Sequence, residues 1–152
     1  MDKLPLTDAD TVLFTKLVRK INFFASMNMS LLEKILNRIT YYQYGKGEKV
    51  CRQGDPGDTF FVVAEGKLKV SVREAFLFSR TLATFGAGDC FGEMALLERK
   101  PRNATVTCEE DSKIFILTAE HFGQVLAENP SFAQEIKQLA KDRQFELDHK
   151  PS

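Results

Sequence analysis

The chain has 152 residues, enough for one domain with a sizeable core, and its 21 basic and 21 acidic residues give a formal net charge of zero. This balance predicts that neither nucleic acid nor an anionic membrane surface is the main partner, and no apolar run is long enough for membrane insertion. Three widely spaced cysteines without a Cys-x-x-Cys pair indicate reduced thiols. Because the N-terminus also has no signal-peptide pattern, we expect a cytoplasmic protein.

Two helices are predicted before residue 40. Thr7 can cap the first helix, with Asp8 and Asp10 in its first turn. Its expected apolar stripe consists of Val12, Leu13, Leu17, Val18 and Ile21. Ser30 and Glu33 form a capping-box pattern, which predicts the start of the second helix at Ser30. The buried face of that helix is expected to contain Leu31, Leu32, Ile35, Leu36 and Ile39.

From Tyr41 to about Leu117 the apolar residues recur with a period of two, which is typical of strands. Residues 59–63 are almost all apolar and predict a buried strand. The alternation over 67–73 places Leu68, Val70 and Val72 on one face of another strand. Many short strands separated by glycine-containing turns predict an antiparallel roll or barrel.

The helical period returns after Thr118. The Asn129-Pro130 pair predicts a helix restart, because a capping side chain precedes a proline at the first helical position. One face of this last helix is predicted to carry Phe132, Ile136, Leu139, Ala140, Arg143 and Leu147. The fold class is therefore predicted to be α+β, with an antiparallel, jelly-roll-like β-roll between N-terminal and C-terminal helices.

A glycine-glutamate pair, followed nine positions after the glutamate by an arginine, suits an anionic ligand that also carries a sugar hydroxyl. Gly92 has no side chain, so a ligand can approach the backbone there, and free amides at the start of a short helix attract anions. Glu93 can accept a hydrogen bond from a hydroxyl, and Arg102 can neutralise a phosphate with its planar fork of donors. The small residues Ala95 and Ala104 leave space between these groups.

The order Phe-Gly-Glu-Met-Ala-Leu-Leu at 91–97, then Pro-Arg-Asn-Ala-Thr-Val at 101–106, resembles the phosphate-binding cassette of cyclic nucleotide-binding domains. These domains are the sensor modules of cAMP-dependent kinase regulatory subunits, cyclic-nucleotide-gated channels and bacterial catabolite-activator proteins. The segments 47–50 and 53–66 look like the early strands and the glycine-rich turn of the same family. In all, the resemblance covers roughly residues 22–147.

The resemblance implies a division of the chain and a C-terminal helical lid over the roll. Residues 1–21 would form an N-terminal helix and residues 148–152 a tail. The cyclic nucleotide-binding domain would span 22–147, with the roll at about 40–117 and the C-terminal helices at 118–147.

The resemblance also assigns the binding residues. It places Glu93 at the ribose 2′-hydroxyl and Arg102 at the cyclic phosphate. Backbone amides complete the phosphate cradle around Gly92, Met94, Ala95 and Ala104. Apolar contacts to the base are expected from Val70, Val72, Ala83 and Phe85, although the same residues also suit an ordinary strand core.

Two residues of the last helix complete the expected site. Counted from Arg102, Arg143 falls where channel-type members carry a lid arginine that reaches over the purine, and Leu147 lies one turn further along the same face. The alternative for Arg143 is an exposed helical arginine. Asn103 departs from the alanine or threonine common in the kinase branch. Since it offers both a donor and an acceptor, it leaves the base open, with cAMP favoured over cGMP.

The function implied is a non-catalytic sensor of cAMP or cGMP, without a metal, that signals to a protein effector or to a second copy in a homodimer. One alternative is a scaffold module of the same fold that binds a protein and no nucleotide. Another is a cupin-like enzyme. His121 and His149 are too few and too far apart in sequence for the multi-histidine metal site that such an enzyme needs.

Overall fold

The computed structural model describes residues 1–25, 27–75, 78–96 and 100–138, with all their side chains except those at positions 22, 23, 74, 75, 78, 93 and 94. Its helices are α1 (Asp8–Val18), α2 (Asn22–Ala25), α3 (Met29–Leu36), a 3-10 helix (Glu93–Leu96) and α4 (Ala119–Glu128), followed by helical residues 130–138. Its strands are β1 (Asp2–Leu4), β2 (Thr40–Tyr44), β3 (Lys49–Cys51), β4 (Thr59–Glu65), β5 (Lys67–Ala75), β6 (Phe78–Gly86), β7 (Cys90–Phe91), β8 (Thr105–Cys108) and β9 (Ser112–Thr118).

The strands form two antiparallel sheets. One has the order β1-β2-β9-β4-β7 and the other has the order β3-β8-β5-β6. The helices cover the outer face of the five-stranded sheet, and the inner faces of the two sheets pack on each other. This arrangement confirms the predicted antiparallel roll with flanking helices.

Strand β4 contributes to both hydrophobic cores. Phe60 and Val62 are buried among the helices, whereas Phe61 and Val63 are buried between the sheets. Successive side chains of a strand point to opposite faces, so a strand with both faces covered is apolar throughout. This position explains the almost continuous apolar segment that the sequence showed at 59–63.

Helix α1 begins as predicted, and the predicted apolar stripe is confirmed except at Val12. The Thr7 side chain accepts from the Asp10 amide, and the Asp10 carboxylate accepts from the Thr7 amide at 2.9 Å, which completes a capping box. The inclusion of Val12 in the stripe was wrong, because 68% of Val12 is exposed while Phe14 is fully buried. Two residues turn a helix by about 200°, so these two side chains lie on nearly opposite sides.

Helix α3 starts earlier than predicted, and Ser30 is not its cap. Asn28 is the N-cap, since its Oδ1 accepts from the Leu31 amide at 2.8 Å, and Ser30 lies inside the first turn. The predicted apolar face is confirmed. Its buried members are Leu31, Leu32, Ile35 and Ile39, and Leu36 is partly buried beside them.

The helical restart after α4 is confirmed, but the predicted cap was wrong. Asn129 donates its side-chain amide back to the Val125 carbonyl at 2.7 Å, so it closes α4 instead of capping the next helix. In helical residues 130–138, Phe132 and Ile136 are buried as expected. The rest of the predicted stripe, Leu139, Ala140, Arg143 and Leu147, lies outside the described residues. In the part of the chain that is described, no helix is long and apolar enough to cross a membrane.

Candidate functional site

The turn between β3 and β4 fixes the backbone at Arg102. The Gly54 amide donates to the Arg102 carbonyl at 2.7 Å, and the Arg102 amide donates to the Asp55 carbonyl at 2.7 Å. Gly57 of the same turn lies against Lys100, because a Cβ added at this glycine would be 2.0 Å from the Lys100 carbonyl oxygen. A side chain at position 57 would therefore push the arginine-bearing segment away.

Gly92 lies on the other side of the same guanidinium, between β7 and the 3-10 helix. Its φ of +81° favours glycine, and an added Cβ would be 2.6 Å from Arg102 Nη1 and 2.7 Å from the Thr59 carbonyl oxygen. The Ala95 amide donates to the Gly92 carbonyl at 2.9 Å and closes the first turn of the 3-10 helix. The predicted short helix after Gly92 is thus confirmed.

The Arg102 guanidinium is held in place, and one of its nitrogens is buried without a partner among the described atoms. Nη2 donates to the Thr59 carbonyl, and Cζ lies 5.4 Å from the centre of the Phe61 ring. Nε is buried and has no hydrogen-bond partner among the described atoms. A buried donor without an acceptor costs about 1–3 kcal/mol, so this arginine is held at a cost in stability.

Three stacked rings continue from this arginine into the roll. The centre of Phe61 lies 4.8 Å from that of Phe91, which in turn lies 4.9 Å from that of Phe85. The guanidinium therefore rests on one end of an aromatic stack whose other end is a predicted base contact. These rings form an apolar wall beside the Arg102 guanidinium.

A cavity of about 290 Å³ opens beside these groups. Its lining residues are Cys51, Gly57, Val70, Phe85, Phe91, Gly92, Ala95, Lys100, Pro101, Arg102, Asn103, Ala104 and Val106. This volume is near the lower end of the range for small-molecule sites, and the lining combines apolar side chains with few polar groups, as such sites do.

The cavity brings together seven of the predicted binding residues. These are Gly92, Ala95, Arg102, Asn103, Ala104, Val70 and Phe85. Val72 and Ala83 are not among its lining residues. Val70 pairs with Ala83, whose side chain is exposed, and Val72 pairs with Arg80 because a bulge places Leu82 outside the ladder.

Four further predicted residues are not described by the structure at the level of the side chain. The side chains of Glu93 and Met94 lie outside the described part of the chain, although the backbone of both belongs to the 3-10 helix. Arg143 and Leu147 lie outside the described residues altogether. The roles assigned to all four remain predictions.

Sequence reasoning missed the groups that position the arginine. Thr59 acts through its backbone carbonyl, which no residue pattern can indicate, and Phe61 resembled any other apolar residue of a buried strand. Cys51 also lines the cavity. Burial raises the pKa of its thiol, and the nearby Arg102 charge acts in the opposite direction. For this arrangement the sequence offered two separate signals, the apolar strand at 59–63 and the Pro-Arg pair at 101–102.

The fold and the cavity together define a ligand-binding β-roll, in which one partly unpaired guanidinium and an apolar wall suit a molecule with an anion at one end and a flat ring at the other. The profile of the cyclic nucleotide-binding domain matches residues 42–129, more than half of the chain. The chain belongs to the cyclic nucleotide-binding domain family.

Individual relatives are consistent with this assignment. A cyclic nucleotide-gated potassium channel of Rhizobium etli is 29% identical over 84% of this chain and 34% of its own length. A cAMP-dependent protein kinase regulatory subunit of Eremothecium gossypii is 34% identical over 60% of this chain and 19% of its own length. Thus the chain spans about a third or less of these two relatives.

Among solved structures, the regulatory domain of Toxoplasma gondii PKA crystallised with cAMP is similar to this chain. The TM-score is 0.72, with 25% sequence identity over 80% of this chain and 46% of that one.

Proposed function

We propose that this chain is a regulatory module that binds a cyclic nucleotide, cAMP in preference to cGMP, and does not itself catalyse a reaction. The observation that carries the proposal is the Arg102 guanidinium, which lines the cavity and has a buried Nε donor without a partner. A cyclic phosphate would supply a charged acceptor there. In the same proposal no metal takes part in binding, since one cation suffices for a singly charged phosphodiester.

The neighbouring lining supports a nucleotide more than a bare anion. Val70 and Phe85 lie in the same cavity as the arginine, and Ala95 and Ala104 leave room between the two ends. Asn103 also lines the cavity and is exposed, so its amide can serve either purine. We favour cAMP because the kinase regulatory subunit and the cAMP-bound domain are both similar to this chain.

Isothermal titration of the full chain with cAMP, cGMP and the open-chain nucleotide 5′-AMP tests this function. We expect saturable binding of cAMP, weaker binding of cGMP, and weaker binding of 5′-AMP because its phosphate is not closed into a ring with the ribose. Absence of binding to both cyclic nucleotides would contradict the proposal and favour the protein-binding scaffold. Tighter binding of cGMP would leave the family function intact and reverse the assignment of the base.

Glu93→Gln tests the proposed ribose contact. A carboxylate accepts a stronger hydrogen bond from the 2′-hydroxyl than an amide oxygen does, by about 1–2 kcal/mol, so cAMP affinity should fall by about 5- to 30-fold. The affinity for 2′-deoxy-cAMP should change much less, because that ligand has no hydroxyl for the glutamate. Equal losses for the two ligands, measured by competition titration, would remove Glu93 from the ribose site.

Closure of the C-terminal helix is the second part of the proposal. Helical residues 130–138 are attached to the core through the buried Phe132 and Ile136. We propose that Arg143 and Leu147, further along this segment, contact the purine of a bound nucleotide. A ligand can favour the closed arrangement only as far as it binds that arrangement better, so these contacts would provide the coupling.

Hydrogen exchange measures this closure directly. Amides at 140–147 should exchange markedly more slowly after cAMP is added, because the nucleotide supplies contacts for a segment whose residues 141–144 are all polar. Amides of α3, which lie in the helical core, should change much less and serve as the internal control. Equal protection of 140–147 with and without cAMP would contradict the lid, whatever the titration shows.

A change in the C-terminal helix acts as a signal only where a receiver reads it. We propose that the receiver is an effector protein or a second copy of this chain in the cytoplasm, since the channel and kinase-subunit relatives are several times longer than the matched region.

A further inference from the structure

The outer surface of the four-stranded sheet carries an excess of positive charge. Strand periodicity places Lys67, Lys69 and Arg73 on the face opposite Leu68 of β5, and Leu68 is fully buried. Lys69 and Lys49 both pair with Thr107 from opposite sides, so they belong to the same surface. We name the surface formed by Lys49, Lys67, Lys69 and Arg73 the basic face.

Most of this charge is not neutralised within the described part of the chain. Lys67 Nζ lies 3.5 Å from a carboxylate oxygen of Glu109, and the described residues provide no such partner for Lys49, Lys69 or Arg73. Because the whole chain has zero formal net charge, this concentration of cations is local. Neighbouring cations repel each other, and a rigid sheet that holds them together pays this repulsion in free energy. Such a surface is suited to an anionic partner.

Hydroxyl groups surround the cations. Lys69 pairs with Thr84 and Thr107, while Ser71 pairs with Thr105 and Thr81. Hydroxyls can donate hydrogen bonds to carboxylates that the cations attract. The described side chains of these paired rows include no aromatic ring on which a base could stack, and Leu82 at the bulge is the one large apolar side chain exposed beside them. This composition favours a polypeptide over single-stranded nucleic acid or a membrane.

We propose that the basic face binds an extended, acidic segment of a partner protein. Side chains two residues apart on an extended chain are separated by about 6.7 Å, which is also the spacing between Lys67 and Lys69 along β5. Acidic residues at alternate positions of the partner would therefore lie opposite successive cations. The inner side of β5 carries Val70, which lines the cavity, so the partner and the cavity lie on opposite sides of one strand.

A pair of designed peptides provides the probe. One is a fluorescent peptide of about twelve residues that alternates glutamate and serine, and the other replaces each glutamate with glutamine. With the full chain at low ionic strength, anisotropy should show binding of the glutamate peptide only. Lys69→Glu/Arg73→Glu should weaken it by at least about tenfold, and Lys20→Glu/Lys137→Glu should change it by less than about threefold. The control pair is exposed and alters the net charge equally.

Several results would overturn the proposal. These are equal binding of the two peptides, equal loss in the two double variants, or tighter binding of anionic lipid vesicles or single-stranded DNA with the same dependence on Lys69 and Arg73. Circular dichroism checks that each variant is folded. If charge reversal unfolds the sheet, Lys69→Ser/Arg73→Ser gives the same test with residues that suit the hydroxyl-rich surface, and unchanged peptide affinity in that variant would refute the basic face.

Discussion

Arg102→Ala is expected to weaken cAMP binding by about 10- to 150-fold, which corresponds to about 1.5–3 kcal/mol for one charge-assisted contact. The fold should survive, because the side chain is only half-buried and its backbone hydrogen bonds with Gly54 and Asp55 do not depend on the guanidinium. Removal of the guanidinium also removes a buried unpaired donor, so the stability of the free protein should change little. Titration calorimetry and thermal unfolding measure the two effects separately.

Two further variants show what the arginine contributes. Arg102→Lys keeps the positive charge but loses the planar fork, so its affinity should lie between wild type and Arg102→Ala. Arg52→Ala removes an exposed arginine from the neighbouring turn that does not line the cavity, and it should bind cAMP normally. If Arg102→Ala binds as tightly as Arg52→Ala, Arg102 is not part of the site.

Gly92→Ala is expected to damage binding through geometry instead of charge. Its Cβ would lie 2.6 Å from Arg102 Nη1 and 2.7 Å from the Thr59 carbonyl oxygen, and the backbone would keep a φ near +81°. The guanidinium would have to leave its place over Phe61. We expect cAMP affinity to fall at least about tenfold, together with a loss of about 1–3 kcal/mol in the free energy of unfolding from backbone strain.

Gly47→Ala separates the effect of backbone strain from the effect of a Cβ contact with Arg102. Gly47 has a φ of +89°, like Gly92, but an added Cβ there would meet no atom within 4 Å. This variant should therefore lose comparable stability and retain wild-type affinity for cAMP. Similar losses of affinity in the two variants would mean that general destabilisation, and not the position of Arg102, explains the Gly92→Ala result.

Local sequence patterns correctly predicted the elements in which the residue type admits only one structural role. The alternation in β5 and the Thr7 cap of α1 were correct because hydrophobic period and capping chemistry decide those positions directly. Asn28 and Ser30 illustrate the limit, since either side chain can cap a helix and only the chain path decides between them. Asn129 likewise lies between two helix ends, and its side chain hydrogen-bonds to the C-terminal end of α4.

The motif of the candidate site could be predicted from the sequence. The groups that hold Arg102 in place could not. The order of Gly92 and Arg102 in the sequence was enough to place both in one cavity. The bulge at Leu82 changes which residue of β6 pairs with Val72, and a period-two pattern contains no sign of an extra residue. The Thr59 carbonyl and the Gly57 contact with Lys100 arise from segments far apart in sequence, so local reasoning could not find them.

The two-sided burial of β4 has a consequence for the whole domain. Phe60 stacks on Phe24 of α2 at 5.6 Å between ring centres, while the next residue, Phe61, lies beneath the guanidinium of the site. Both residues belong to one hydrogen-bonded strand, so a shift of the β4 backbone would displace both rings. Strand β4 is therefore the element that both the helices and the candidate site contact. A change in helix packing that shifts β4 would therefore also shift the ring beneath Arg102.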